Sequence, residues 1–295
     1  MTTESFLGFL SKPERPGKPR TKGLTMVIDP IQPLVLERYS DFVDTVKLLE
    51  ATLWAPNDVI KQAIATYHEH GIDVQIGGVP FEIARAGEKE VEFLKEVKNL
   101  GLDIVEYETH ALKPSVDRMR SDVEALRKKG FRVVGEVGAK WPWKDDSRIG
   151  RDRIDVQKTV DKFATYLDAG CEKMYWEGLI VGNLIGRHLE NKEGQKALLE
   201  VANTVGNEKI VFELWGPTMA PLQPAIVWSW LVYQFGPEVN IGNVYSDGVR
   251  LLESVRRGTS FEMDHPYIRW LSEGRPTKDW WRMEPPPYDE YLEKS

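Results

Sequence analysis

Cysteine and histidine are scarce in this sequence. Cys171 is the single cysteine among 295 residues, so an internal disulfide is excluded and the chain suits a reducing, cytoplasmic compartment. The five histidines do not form a cluster with ligand spacing, and Cys171 opens a predicted strand at the end away from the expected site. A cysteine nucleophile and a histidine-rich metal centre are therefore not predicted.

Excess positive charge and long apolar runs are also lacking. The formal net charge is −7 and the pI is about 5.5, which argues against nucleic acid or an anionic membrane as the main partner. We find no apolar run that would span a bilayer, no signal peptide, and no G-x-S-x-G, Walker or H-E-x-x-H motif. With 41% hydrophobic and 29% charged residues, the composition is typical of a soluble enzyme acting on a small molecule.

The dominant pattern is a glycine, a short apolar strand, and a polar residue near the end of that strand. It runs from Gly101 to Glu106, Gly130 to Glu136, Gly170 to Glu177, Gly206 to Glu213, and Gly236 to Asn243. Glycine accommodates the left-handed turn that ends a helix. Together with three earlier strands, the pattern predicts eight strands alternating with eight helices, a single α/β chain folded as a (β/α)8 TIM barrel.

The predicted organisation has three parts. Residues 1–22 form an N-terminal arm, residues 23–258 form the barrel, and residues 259–295 form a C-terminal extension rich in Trp and Pro. The third helix is predicted over residues 88–100, and a long loop is predicted between strand six and a helix starting near residue 193. The helix around residues 225–233 is apolar nearly all round, which indicates deep burial or a subunit contact.

Acids at the predicted strand ends point to a metal site. In such barrels the working residues lie at the carboxyl ends of the strands, and Glu106, Glu136, Glu177 and Glu213 would all meet there. They would repel one another unless a divalent cation, Lys47 or Lys140 lies among them. A ligand set made only of oxygen atoms favours Mg²⁺. The alternative is that some of these glutamates fasten loops or pair with arginines.

Other residues near the rim suggest further roles. Lys140 is a candidate proton donor, base or fixed charge beside an enolate, and His110 is a candidate for proton transfer. The backbone amides of Gly77 and Gly78 are candidates for binding an anion. Further candidate substrate contacts are Asp29, Asn243 and Arg187.

Ten segments, in this order and spacing, resemble the phosphosulfolactate synthase family, whose members add sulfite to phosphoenolpyruvate. They are RTKGLTMVID (20–29), DFVDTVK (41–47), IGGVPFE (76–82), LGLDIVE (100–106), GEVGAK (135–140), DAG (168–170), WEG (176–178), VFE (211–213), FGPEVN (235–240) and LESVRRG (252–258). The resemblance implies a (β/α)8 barrel, Mg²⁺ dependence and a homo-oligomer. It also implies a metal on Glu106, Glu177 and Glu213, with Lys47, Glu136 and Lys140 as retained site residues.

The chain departs from the family pattern in its loops. The family's Lys-Gly after the first-strand aspartate is replaced by Pro30-Ile31, and a polar turn after strand two is replaced by residues 48–54. After strand six, Leu, Ile and Val stand where the family has Arg, Glu and Ser, and the loop after strand seven is also changed, which removes hydrogen-bond donors for phosphate and sulfonate groups. Three hypotheses follow: the family reaction, a diverged lyase or hydratase with a larger and less anionic substrate in a Trp-lined pocket, and a non-catalytic barrel as in plant heat-stress relatives.

Overall fold

Eight short parallel strands close into a barrel. The structure is a computed structural model that describes residues 6–139, 145–186, 188–214, 223–260 and 264–283. Each strand pairs with the next along the chain, and the eighth pairs back to the first. The strands are β1 (Thr25–Ile28), β2 (Thr45–Leu48), β3 (Asp73–Ile76), β4 (Ile104–Tyr107), β5 (Arg132–Val137), β6 (Lys173–Trp176), β7 (Ile210–Glu213) and β8 (Asn240–Val244).

Helices surround the barrel and confirm the predicted (β/α)8 fold. They are α1 (Pro33–Tyr39), α2 (Asn57–Glu69), α3 (Gly78–Ala86), α4 (Glu90–Asn99), α5 (Val116–Lys128), α6 (Val156–Ala169), α7 (Gly178–Ile185), α8 (Lys192–Val205), α9 (Gln223–Phe235), α10 (Val249–Arg256) and α11 (Pro266–Ser272). The glycines that were expected to end helices do so: Gly170 follows α6 with φ of 108° and donates its N–H to Leu167.

Three helices lie where the sequence predicted none: α11 in the C-terminal extension, and α3 and α7 around the barrel. Strand three was expected to run through Gly78, but Gly78 begins α3, and α4 accounts for the helix predicted over 88–100. The long loop expected after β6 contains α7. Glycines at 77, 78 and 182 are typical of loops. A short helix that contains glycine is nevertheless stable when its tertiary contacts with the barrel outweigh the low helix propensity of glycine.

The main core lies between the barrel and its helices. Trp176 on β6 packs edge-on against Phe163 of α6, with ring centroids 5.4 Å apart, and lies beside Phe212 on β7. Helix α9 is apolar all round because both of its faces are buried within this chain, from Ala225 to Val232. A subunit contact is therefore not required to cover α9, and the homo-oligomer stays a prediction.

The N-terminal arm packs across the amino ends of the strands. Arg15 forms an ion pair with Glu253 of α10, and the two side chains are only 4% and 5% exposed. Arg20 pairs with Asp44 at 2.9 Å. Arg257 donates to the carbonyl of Pro13 at 2.6 Å. These contacts fasten the arm to the closed end of the barrel, opposite the expected site.

The described part of the C-terminal extension packs on the outside of the barrel. Helix α11 carries Tyr267, whose ring contacts Trp280, and Ser11 of the arm hydrogen-bonds to the Tyr267 hydroxyl at 2.8 Å. A Cβ at Gly258 would collide with the Trp280 ring, so this glycine admits the extension. Among the described residues, every helix is too short or too polar to cross a bilayer.

Replacing Arg15 with Ala should destabilise the fold. It removes one of the two arginine partners of the buried Glu253 carboxylate and leaves only Arg257, an effect of about 3 kcal/mol in the free energy of unfolding. Arg38→Ala, which removes an exposed arginine, is the matched control. Urea denaturation followed by circular dichroism should give a lower midpoint for Arg15→Ala alone, and equal midpoints for the two variants would contradict the structural role of the arm.

Candidate active site at the carboxyl ends of the strands

The acids of the site form one layer of the barrel interior. Side chains alternate between the two faces of a strand. When the first of two residues that are two positions apart faces the barrel interior, the later one therefore does so too, and it lies one layer nearer the carboxyl end of the strand. The lower layer is mostly apolar and includes Met26. The pairs of lower and upper residues are Ile104 and Glu106, Val134 and Glu136, Tyr175 and Glu177, and Val211 and Glu213.

Three of these acids meet closely enough to hold a cation. Carboxylate oxygens of Glu136, Glu177 and Glu213 lie within 4.8 Å of one another, and all three side chains are buried. Burial, reinforced by Glu213 and Glu177, raises the pKa of Glu136 well above its usual range. Burial also raises the pKa of Glu213 to about 7, although Lys47 opposes the shift. We call these three residues the carboxylate triad.

Lys47 on β2 neutralises part of this charge. Its Nζ lies 2.8 Å from Glu106 Oε2 and 3.1 Å from Glu213 Oε1, and its side chain is 6% exposed. Burial lowers the pKa of Lys47, but Glu106 and Glu213 outweigh burial and raise it well above the usual value. Glu106, expected as a metal ligand, is thus placed against Lys47, and Glu136 takes its position beside Glu177 and Glu213.

Two buried residues that the sequence did not suggest complete this contact. Gln75 on β3 donates its Nε2 to Glu106 Oε2 at 3.0 Å, and the Tyr175 hydroxyl donates to Gln75 Oε1 at 2.6 Å. Lys47 Nζ also lies 4.8 Å from the centroid of the Tyr175 ring. The available signal was an amide between Val74 and Ile76 in a strand otherwise buried, which needs a polar partner.

His110 lies beside the triad and is held by two acceptors. One ring nitrogen, Nδ1, pairs with Glu108, and Nε2 lies 2.6 Å from the Gly138 carbonyl and 3.4 Å from Glu136 Oε1. Burial lowers the pKa of His110, but the contact with Glu108 and the bond to Gly138 outweigh it and raise the pKa to about 9. At neutral pH the ring therefore carries both protons and donates from both nitrogens.

The two glycines after β3 make room for this arrangement. The N–H of Gly77 donates to the Leu48 carbonyl at 2.9 Å, so this amide is already used and is not directed at an anion. A Cβ at Gly78 would collide with the Glu108 side chain. Gly78 therefore admits Glu108, which in turn fixes His110.

Asp29 and Asn243 lie at the ends of β1 and β8. Asp29 accepts a hydrogen bond from the Tyr67 hydroxyl, and burial raises its pKa although that hydrogen bond opposes the shift. Asn243 has a left-handed φ of 54°, and its Oδ1 is buried without a hydrogen-bond partner in the described structure. A strained backbone with an unpaired amide is typical of a contact kept for a ligand.

Two of the predicted site residues lie outside the part of the chain that the structure describes. These are Lys140 and Arg187. After β6, Glu177 caps helix α7 by accepting the N–H of Leu179 at 3.0 Å. This helix terminus thus directs at least one amide to a carboxylate of the protein.

A cleft of about 530 Å³ is lined by Glu136, the one member of the triad that borders it. Its inner wall contains Glu136 and His110, and α5 and α6 contribute Met119 and Tyr166. Lys113 lies on its outer rim. A small molecule can therefore reach Glu136 and His110 through this opening.

A (β/α)8 barrel with titratable side chains at the carboxyl ends of its strands and a cleft beside them is an enzyme architecture. Comparison with known proteins specifies the family. The family model for (2R)-phospho-3-sulfolactate synthase (ComA) matches residues 13–262. The chain belongs to this family, as the resemblance predicted, and is a phosphosulfolactate synthase-like lyase acting on a small molecule.

Relatives match most of the chain. A phosphosulfolactate synthase from Methanocaldococcus jannaschii is 34% identical over 246 residues, covering 80% of this chain and 92% of its own. One from Methanothermobacter thermautotrophicus is 28% identical, covering 83% and 93%. The protein HEAT-STRESS-ASSOCIATED 32 from Arabidopsis thaliana is 24% identical, covering 88% and 94%.

The pKa of Glu213 predicts how stability depends on pH. Its ordinary value is 4.5 and its value in the folded protein is about 7, so the folded state holds an extra proton between these values. Stability from this group is present at low pH and is lost as the pH rises toward 7. In protein freed of metal by EDTA, the urea midpoint should fall from pH 5 to pH 7 more steeply for the wild type than for Glu213→Gln. Parallel curves would contradict the raised pKa.

Proposed function

We propose that this protein catalyses the addition of sulfite to phosphoenolpyruvate in a reaction that requires Mg²⁺. The observation that carries the proposal is the carboxylate triad, three buried acids whose ligand oxygens lie within 4.8 Å of one another. Membership of the synthase family supports the choice of substrates.

The triad fits Mg²⁺ by charge and by donor type. In the described mouth, Glu106, Glu108, Glu136, Glu177 and Glu213 are set against Lys47 and His110. Even with Arg148, whose charge acts on Glu177, the five acids outnumber the described basic groups, and this excess of buried negative charge is costly unless a cation binds or a carboxyl is protonated. Carboxylate oxygens are ligands that Mg²⁺ prefers. When bound, the ion would supply positive charge near the carboxylate and the developing enolate of the substrate.

The proposed reaction forms one carbon–sulfur bond and one carbon–hydrogen bond. The sulfur lone pair of sulfite attacks C3 of phosphoenolpyruvate, the electron pair of the double bond moves to C2 and its carboxylate, and C2 then takes a proton. His110 carries a proton at neutral pH and lines the cleft beside Glu136, so we assign it as the donor. Lys140, predicted beside the enolate, stays a second candidate donor from the sequence.

Within this scheme Lys47 is a fixed charge. It is held by Glu106 and Glu213 at 2.8 and 3.1 Å and has a raised pKa, so it keeps its proton throughout the reaction. Its role is to balance the acids below the substrate and to orient Glu213, which would hold a cation together with Glu136 and Glu177.

One observation favours a different substrate. The first turn of α7, where the family has donors for anionic groups, presents Leu179, which is 38% exposed, and its N–H is bonded to Glu177. A group seated there would meet an apolar side chain. The second candidate is therefore a lyase or hydratase that keeps the carboxylate and lysine centre but takes a larger, less anionic substrate.

A non-catalytic role finds support only in the Arabidopsis relative, named for heat stress. The buried acids count against it, because unneutralised carboxylates destabilise a barrel that has no use for them.

A direct assay distinguishes the first two candidates. Incubation with phosphoenolpyruvate, sulfite and MgCl₂ should give an adduct with the mass of phosphosulfolactate, and EDTA should abolish it. Glu177→Gln, which keeps the size of a triad side chain but removes its charge, should reduce the rate by at least about 100-fold. Consumption of neither substrate under these conditions would overturn the sulfite reaction and favour the second candidate.

Removal of the proton donor should affect turnover rather than binding. His110→Gln should lower kcat by about 100-fold with little change in KM, since general acid catalysis contributes about that factor. His68→Gln, which changes an exposed histidine paired with Asp103, is the matched control. Equal kcat values for His110→Gln and the wild type would assign the proton transfer to another group.

A further inference from the structure

The lower layer of the barrel interior contains one polar pair among apolar side chains. Gln75 is 0% exposed and Tyr175 is 4% exposed, and Tyr175 packs with Met26, Ile104 and Val211. Placing an amide and a hydroxyl in such a layer is costly unless each is hydrogen-bonded. Both groups are hydrogen-bonded, and these hydrogen bonds connect them to Glu106 in the acidic layer.

The direction of these bonds is set by chemistry. A carboxylate only accepts, so the Gln75 atom facing Glu106 must be Nε2, at 3.0 Å. The opposite end of the amide, Oε1, then accepts the Tyr175 proton at 2.6 Å. Lys47 donates to Glu106 as well, at 2.9 Å from Oε1. Gln75 and Lys47 therefore both donate to Glu106, and the Tyr175 hydroxyl fixes the orientation of the Gln75 amide.

From this geometry we propose that Gln75 and Tyr175 are positioning residues that lock Glu106 onto Lys47 and thereby leave the carboxylate triad to the cation. Their hydrogen bonds stop Glu106 from turning away from Lys47. Without them, Lys47 would shift further onto Glu213, which it already contacts at 3.1 Å, and toward Glu136, because its three N–H groups need acceptors and these two acids are the next strongest charges on it after Glu106. The lysine would then compete with a cation for the oxygens of the triad. This inference rests on the proposed function in that it takes the triad to be the metal site.

Two substitutions test the inference with little change in volume. Tyr175→Phe removes only the hydroxyl that orients the amide, and Gln75→Leu removes the amide. Each should raise the Kd for Mn²⁺, measured by electron paramagnetic resonance on the whole protein, by about 10-fold, the usual effect of losing a group that orients a metal ligand. Tyr267→Phe, which removes a hydroxyl bonded to Ser11 far from the site, should leave the Kd unchanged. Melting temperatures recorded for all four proteins separate an effect on the site from an effect on folding.

The outcomes distinguish this inference from the proposed function. A lower melting temperature with an unchanged Kd for Mn²⁺ would show that Gln75 and Tyr175 serve packing alone, and would overturn the inference. If the wild type binds no Mn²⁺, the proposed metal site is wrong. A crystal structure of metal-free Gln75→Leu then tests the positioning role by itself. Glu106 turned away from Lys47, with Lys47 Nζ moved within hydrogen-bond distance of Glu136, would support the positioning role. An unmoved Lys47 and Glu106 would overturn it.

Discussion

The contact of Lys47 with Glu106 and Glu213 is the constraint on which the site depends. At about 4 Å and an effective dielectric constant of about 20, such a pair gains about 4 kcal/mol, a gain that desolvation of the same groups largely offsets. The contact is therefore a poor source of stability. Its consequence is geometric. Lys47 contacts both carboxylate oxygens of Glu106 and one oxygen of Glu213, and so determines which oxygens remain for a ligand.

The barrel makes this contact possible because its interior is arranged in layers. Because all the strands are parallel, inward-facing residues at equivalent positions along them lie in the same layer of the barrel interior. An apolar level then supports an acidic one, so the acids have little water beneath them and shift their pKa values accordingly. The arm and its ion pair with Glu253 lie at the opposite end of the strands. The contacts of the arm that stabilise the fold and the acids of the candidate site thus lie at opposite ends of the barrel.

The sequence predicted the fold and the members of the acidic level because both depend on local spacing. Glycine, strand and glutamate recur in order, and closure of the barrel brings the glutamates together. Which acid faces which partner depends on contacts across the barrel, and no local pattern contains them. For this reason the contact of Lys47 with Glu106, and the roles of Gln75 and Tyr175 beside it, were not foreseen. Helices α3 and α7 were missed because their glycines, needed for close packing, look like loop residues.

The same layering explains how the periphery of the site can change while its centre persists. Glu177 belongs to the triad through its carboxylate, yet it also caps α7 by accepting the Leu179 N–H. A carboxylate that caps this helix competes there with any anionic group of a substrate, because both need the same amides. Leu179 beside it needs no charged partner. An anionic substrate must then be held mainly by other basic groups, such as those around the cleft. A less anionic substrate does not need the hydrogen-bond donors that the first turn of α7 lacks.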